Sequence, residues 1–168
     1  MTPYEIVSIA IATLAFALSL YSAINTYYEK HIKTRVYLRW TYELGQQLNI
    51  CLLVSNMSSR PSTITNIYFT NEDETVESSW FPVKLISQTR FNNDKVFVFS
   101  DCTPLNIPPR SSKTFVISFQ NLRSTNIISD KMRFKFKIDN AQNIMEFHPK
   151  VVLDSEQINF ALENRLYN

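Results

Sequence analysis

The residue types that carry enzyme chemistry are few in this 168-residue chain, and they are scattered. A single glycine, Gly45, cannot form the glycine-rich loop that cradles phosphate or binds a dinucleotide. The histidines, His31 and His148, lie far in sequence from any histidine or cysteine at the spacing of a zinc site. A nucleophilic pair of Cys102 with His148 has no local motif to support it. The sequence therefore predicts a protein that is not an enzyme, with no catalytic residue, metal site or cofactor.

Acidic residues cluster in one stretch, NEDETVESS, which contains Glu72, Asp73, Glu74 and Glu77. A calcium loop places its carboxylates at alternating positions and uses a glycine to bend, and this stretch has neither feature. The pattern predicts a solvated acidic loop.

A basic ladder forms the sharpest charged pattern, with Lys131, Arg133, Lys135 and Lys137 alternating with Met132, Phe134, Phe136 and Ile138. In a β-strand this alternation places all the charges on one face and the apolar side chains in the core. Aromatic residues on the opposite face and a net charge of only +2 argue against nucleic acid. Two interpretations are open. The strand is an edge or surface strand protected by lysine, or it docks on an anionic leaflet or an acidic partner.

The N-terminal segment from Ile6 to Ile24 is long enough to cross the roughly 30 Å hydrocarbon core as a helix of about 20 residues. It contains no charge, no glycine and no proline, so the helix is uninterrupted. A cleaved signal peptide and a buried core helix are the alternatives, but the N-terminus lacks a basic n-region. The sequence predicts an uncleaved transmembrane helix over residues 1–28.

Small residues recur along one face of this helix, at Ala12, Ala15, Ser19 and Ala23. They would let two helices approach closely, although alanine and serine are also common in spans. Homo-oligomerisation through the helix is therefore an open possibility.

The flanks of the helix differ in charge: Lys30, Lys33, Arg35 and Arg39 follow it, and no basic residue precedes it. Basic residues next to a span tend to stay in the cytoplasm. The sequence predicts a single-pass membrane protein with its N-terminus outside, a basic linker at 29–35 and a cytoplasmic C-terminal domain.

Residues 36–150 show the period of two that is typical of half-buried strands, as in TFVISF, KVFVFS and RVYLRW. Gly45 can take a positive φ at the turn in TYELGQQ, and Asp139 with Asn140 predicts a hairpin turn. Seven or eight short strands predict a mainly β domain, an antiparallel Ig-like or fibronectin-like β-sandwich.

The cysteines do not match an antibody-type domain, because Trp80 lies late between Cys51 and Cys102 and no tyrosine precedes the second cysteine by two residues. In a reducing compartment Cys51 is expected to be a buried strand residue and Cys102 a loop thiol. An outward-facing domain would instead make a bridge between them plausible.

Two stretches, NMSSRPSTITNI and NIPPRSSKTFVISF, resemble the strand-turn-strand segments of small membrane-anchored β-sandwich proteins of Gram-positive bacteria and their prophages. The shared features are turn chemistry: Pro61, Pro108 and Pro109 fix φ, and Asn56 and Ser58 can close turns with their side-chain oxygens. The resemblance implies no enzymatic activity and transfers no active residue.

The tail at 151–168 predicts a short amphipathic helix, with Asp154 as N-cap, Gln157 three residues on, and Ile158, Ala161, Leu162 and Leu166 at helical spacing. This helix either packs on the sandwich or offers its apolar stripe to another protein.

Together these features predict a membrane-anchored, non-enzymatic module whose sandwich binds another protein in the cytoplasm. The alternative is an outward-facing receptor or adhesin-like sandwich on the same anchor. The expected partners are membrane lipid and a protein.

Overall fold

The computed structural model describes residues 2–31, 34–71, 74–89, 95–123, 128, 132–139 and 141–163. It has a long N-terminal helix, antiparallel β-sheets and a short C-terminal helix, which confirms the predicted fold class. The elements are α1 (Pro3–His31), β1 (Arg35–Leu44), β2 (Gln47–Asn56), β3 (Ser62–Thr70), β4 (Thr75–Glu77), β5 (Lys84–Thr89), β6 (Lys95–Phe99), β7 (Leu105–Ile107), β8 (Ser111–Phe119), β9 (Met132–Ile138), β10 (Ala141–Phe147) and α2 (Ser155–Glu163).

Helix α1 begins with a reciprocal cap. The Thr2 amide donates to Glu5 Oε2 at 2.8 Å, and the Glu5 amide donates to Thr2 Oγ1 at 3.4 Å. Proline at the first helical position costs nothing, because its missing N–H would have no partner there. Within the helix, the Thr13 hydroxyl donates to the carbonyl of Ile9 at 2.8 Å, so this polar side chain is satisfied by its own helix.

Two sheets form the sandwich. Sheet 1 has the strand order β1-β2-β8, and sheet 2 has the order β10-β9-β3-β4, with β7 also paired to β3. The alternating side chains of the facing strands fill the core between the sheets. At its centre the ring of Phe134 lies 5.4 Å from that of Phe69, 5.9 Å from that of Phe119 and 5.7 Å from that of Phe147. Tilted ring pairs at these separations are favourable contacts.

A third layer covers the outer face of sheet 1. Cys51 and Val116 point away from the sandwich core, and they pack with Leu85 from β5 and with Ile158 and Leu162 from α2. The hairpin β5-β6 and helix α2 therefore bury a second apolar cluster. The alternation in TFVISF predicts only one buried face, whereas all of Phe115 to Phe119 is buried because both faces of β8 are covered.

Chain segments also cover the outer edges of sheet 1. The Thr41 amide donates to the carbonyl of Val151 at 3.0 Å, and the Leu153 amide donates to the carbonyl of Thr41 at 2.9 Å. On the far side, the Asp101 amide donates to the carbonyl of Val116 at 2.7 Å. These bonds block strand addition at Thr41 on β1 and at Val116 on β8.

The turn at Gly45 is confirmed, with φ of 58°, but it is tighter than TYELGQQ suggested because β1 continues to Leu44. The short strands β4 and β7 were not predicted, and β4 includes Glu77, so the acidic stretch is not a simple solvated loop. The basic ladder was expected on an edge or surface strand; β9 pairs with both β10 and β3, so it is an interior strand of the sheet whose basic face lies at the surface. Its apolar residues do enter the core.

Helix α2 packs back on the sandwich, which is the first of the two interpretations given for the tail. Its cap is the predicted one: Asp154 Oδ1 accepts from the Gln157 amide at 2.8 Å, and Gln157 Oε1 accepts from the Asp154 amide at 3.3 Å. Ile158 and Leu162 are each 1% exposed. Leu166 lies outside the described residues.

Candidate interaction surfaces

Helix α1 is long and apolar enough between Pro3 and Tyr27 to cross a membrane, and none of that apolar surface is buried against the protein. A signal sequence near an N-terminus can also be this long and apolar. The end residues of the predicted span, Ile6 and Ile24, are exposed, as are the small residues of its one face, Ala12, Ala15, Ser19 and Ala23. The surface of this helix is therefore open to lipid or to another helix.

The residues used to predict orientation lie on both sides of the junction between helix and sandwich. Lys30 is in the last turn of α1, Arg35 opens β1 and Arg39 is exposed further along β1. Lys33 lies outside the described residues. Helix α1 ends at His31, so only three residues separate it from β1.

A hydrogen-bonded chain fastens the start of the domain to the sandwich. The Thr34 hydroxyl donates to Ser62 Oγ at 2.8 Å, and the Ser62 hydroxyl donates to Asp139 Oδ2 at 2.7 Å. The second oxygen, Asp139 Oδ1, accepts from the Thr63 amide at 2.7 Å. The entry of the chain, strand β3 and the turn after β9 are thus joined at one end of the sandwich.

The buried side chain of Asn56 holds the neighbouring turns at this same end. Its amide nitrogen lies 2.7 Å from the Arg60 carbonyl, 3.2 Å from that of Ile107 and 3.1 Å from that of Pro108. Its oxygen accepts from both the amide and the hydroxyl of Ser58, at 3.0 and 2.7 Å. One asparagine therefore joins the β2-β3 turn to the β7-β8 turn, which are the two stretches that carried the family resemblance.

The basic ladder lies on the outer face of sheet 2 and is partly neutralised there. Arg133 Nε lies 2.8 Å from Glu146 Oε1 on β10, with both side chains largely exposed. Lys135 and Lys137 are half-buried, and Lys131 lies outside the described residues. An exposed pair of this kind contributes little to stability, about 0 to 1 kcal/mol, but it lowers the positive charge of the face.

The same face contains a carboxylate that the sequence placed in a loop. Glu77 Oε1 accepts from Asn66 Nδ2 at 2.6 Å, and Glu77 lies opposite Tyr68 in the pairing of β3 with β4. Burial raises the pKa of the Tyr68 hydroxyl, and the charge of Glu77 together with its hydrogen bond raises it further. Glu74 accepts from the Arg123 amide at 3.0 Å, whereas Glu72 and Asp73 lie outside the described residues.

The two cysteines are both thiols. Cys51 on β2 is paired in register with Val116 on β8, and the segment of Cys102 lies on the other side of β8 through Asp101. Two strand spacings of about 4.8 Å separate these backbones, which exceeds the Cα separation of about 7 Å that a disulfide can bridge. Both cysteines were expected to be unbridged if the domain lies in a reducing compartment.

No group of three or more histidine, cysteine, aspartate or glutamate side chains within the described ranges is arranged to hold a metal ion.

The outer edge of β10 is the feature that sequence reasoning missed. No described backbone group pairs with the side of β10 that faces away from β9, and Ile144 on this strand is 70% exposed. The alternation in KMRFKFKI identified β9 as a strand, but it contains no signal for which neighbours β9 has.

No protein-family model matches the chain, and no curated protein matches it. Among solved structures, the chain is similar to a protein from Archaeoglobus fulgidus, with 14% sequence identity and a TM-score of 0.30, covering 71% of this chain and 99% of that one. A similarity at this level does not extend to function. The resemblance to membrane-anchored proteins of Gram-positive bacteria stays a prediction.

Proposed function

We propose that this protein is a single-pass, membrane-anchored, non-enzymatic interaction module whose β-sandwich lies in the cytoplasm and binds another protein. Helix α1 supplies the location, and the basic residues Lys30, Arg35 and Arg39 after it favour a cytoplasmic domain. The sandwich supplies the binding surface.

The open edge of β10 is the observation that carries the interaction. Segments of this same chain bridge the outer edges of sheet 1 at Thr41 and Ile117, and β4 and β7 pair with the far side of β3 in sheet 2. Natural sheets protect their edges because an open edge recruits another strand. An edge to which none of the described segments is paired across seven residues, with the exposed Ile144 at its centre, fits a partner that adds an extended segment to the sheet.

The orientation is tested by the accessibility of Cys102 in intact cells. Cys102 is half-buried and Cys51 is 4% exposed, so an impermeant maleimide should report on Cys102. We expect labelling only after the membrane is permeabilised, with Cys102→Ser as the background control. Labelling of intact cells would place the sandwich outside and favour the receptor or adhesin-like alternative.

Partner binding is tested with a photo-crosslinking amino acid in place of Ile144, applied in native membranes. Phe160, which is 81% exposed on α2, is the control position because it lies on a different surface. We expect a discrete adduct from position 144 and none from position 160. An adduct with a second copy of the chain would identify a homo-oligomer, and equal labelling at both positions would contradict strand addition at β10.

A further inference from the structure

Four basic side chains surround the end of the sandwich at which the chain enters from α1. They come from the start of β1, the β2-β3 turn, the β7-β8 turn and the start of β8, and all are exposed: Arg35, Arg60, Arg110 and Lys113. We call this set the basic end. It is distinct from the basic ladder, which lies on the outer face of sheet 2.

The two turns of the basic end are held together by Asn56. The carbonyl of Arg60 accepts from the Asn56 amide at 2.7 Å, and the Arg110 amide donates to the carbonyl of Ser58 at 3.0 Å. Arg60 and Arg110 therefore project from one fixed platform. A fixed set of charges loses less conformational freedom on binding than charges on loose loops.

The basic side chains of this end outnumber the acidic ones among the described residues. No ion pair within the described part of the chain includes any of its members, in contrast to Arg133 of the ladder. Asp139 contributes one negative charge at this end, and its two carboxylate oxygens accept from the Ser62 hydroxyl and the Thr63 amide. The basic end is therefore ready for an external anion.

A cleft of about 290 Å³ opens between these turns, beside Arg110. It is lined by Arg110, by the serines at 55, 111 and 112, and by Met57. The guanidinium of Arg110 is a group that binds phosphate oxygens, whereas the hydroxyls of Ser55, Ser111 and Ser112 already donate within the protein. Met57 is 54% exposed beside them and offers an apolar contact.

Chain length keeps the basic end close to the membrane. The four backbone steps from His31 to Arg35 reach at most about 14 Å. The helical turn from Tyr28 to His31 adds about 6 Å beyond the apolar span. Headgroups are thus within reach of the basic end, whichever side of the membrane the domain occupies.

We propose that the basic end binds the headgroups of anionic phospholipids in the leaflet at which α1 emerges. The sandwich then stands with this end on the membrane, and the edge of β10 remains available to a partner. This inference rests on the membrane anchoring proposed above but not on the orientation.

The test uses the full chain reconstituted in vesicles of phosphatidylcholine with or without phosphatidylglycerol. A fluorophore on Met57→Cys, in a Cys102→Ser background, reports proximity to a quencher attached to the lipid headgroup. The control label is Gln46→Cys, at the opposite end of sheet 1. We expect quenching at position 57 to rise with phosphatidylglycerol and to fall in high salt, while quenching at position 46 stays low.

Charge removal makes the test specific. Arg60→Gln with Arg110→Gly takes two charges from the basic end, and glycine suits position 110 because its φ is 50°. Each basic residue near an anionic surface strengthens binding by about fivefold, so the ratio of docked to undocked protein should fall roughly 25-fold. The matched control, Lys135→Gln with Lys137→Gln, removes the same charge from the ladder and should leave the ratio within about twofold.

The proposal would be overturned if quenching at position 57 did not depend on phosphatidylglycerol. It would also be overturned if quenching fell equally in the double variant of the basic end and in the double variant of the ladder. Anchoring is scored separately, by whether the protein stays with the vesicles after carbonate extraction. Loss of the protein on extraction refutes the membrane function itself. A retained protein with no dependence on lipid charge refutes only the docking of the basic end.

Discussion

Replacing Asn56 with alanine should destabilise the sandwich, because this side chain is 1% exposed and joins two turns. Its two N–H groups serve the carbonyls of Arg60, Ile107 and Pro108, and its oxygen accepts two hydrogen bonds from Ser58. A typical hydrogen bond contributes about 0.5 to 1.5 kcal/mol, and water can replace some of the half-buried ones. The expected loss in the free energy of unfolding is about 3 kcal/mol.

The assay is urea unfolding of the full chain in nonionic detergent, followed by tryptophan fluorescence, which includes Trp40 partly buried against the second apolar cluster. Asn159→Ala is the matched control, because its amide donates only to the exposed Ser155 carbonyl at 3.1 Å. The control should change stability by less than about 0.5 kcal/mol.

A second substitution, Asn56→Asp, separates the acceptor role of the side-chain oxygen from the donor role of the side-chain amide. Aspartate keeps the acceptors for Ser58 but places a carboxylate against three carbonyl oxygens. It should cost at least as much as alanine. A loss below about 1 kcal/mol for Asn56→Ala, or wild-type stability for Asn56→Asp, would refute the role assigned to this residue.

Three further predictions follow from burial, charge and thiol chemistry. Leu162→Ala should cost about 2 to 4 kcal/mol in the same unfolding assay, whereas Phe160→Ala on the exposed side of α2 should cost less than about 0.5 kcal/mol. Burial and Glu77 raise the pKa of Tyr68, so the native state holds this proton more tightly. The stability that Tyr68 contributes should be present below the ordinary tyrosine pKa and be lost as pH rises through the raised pKa of the native state. Glu77→Gln should lower the pKa of Tyr68, as measured by a tyrosinate difference titration against Tyr68→Phe. When the protein is denatured without reductant and treated with maleimide, mass spectrometry should find both cysteines labelled. An unlabelled mass would indicate a disulfide between them.

Sequence patterns predicted those parts of the fold that depend on neighbours in the chain. The cap of α2 at Asp154 and Gln157 was readable because both partners lie three residues apart. Gly45 marked its turn because a positive φ strains other residues. The alternation of Phe134 and Phe136 with basic residues predicted which side of β9 is buried.

The candidate surfaces were predicted less well, because they depend on residues far apart in the chain. The basic ladder was visible as a pattern, but its pairing with Glu146 and the interior position of β9 come from strand order. Asn56 was noted only as a turn residue, whereas its partners Ile107 and Pro108 lie about fifty positions away. Nothing in the local sequence encodes that contact.

The sequence by itself determined the apolar helix, the basic flank and the alternating strands, because length, charge and periodicity are local properties of a chain. Tertiary structure alone decided that hairpin β5-β6 and α2 cover sheet 1, that no described segment pairs with the outer edge of β10, and that Arg60 and Arg110 lie on one platform. The physical reason is that burial and hydrogen bonding between distant segments are set by the packing of whole sheets. Local propensity fixes each strand, but only the assembled sandwich fixes which strand faces solvent.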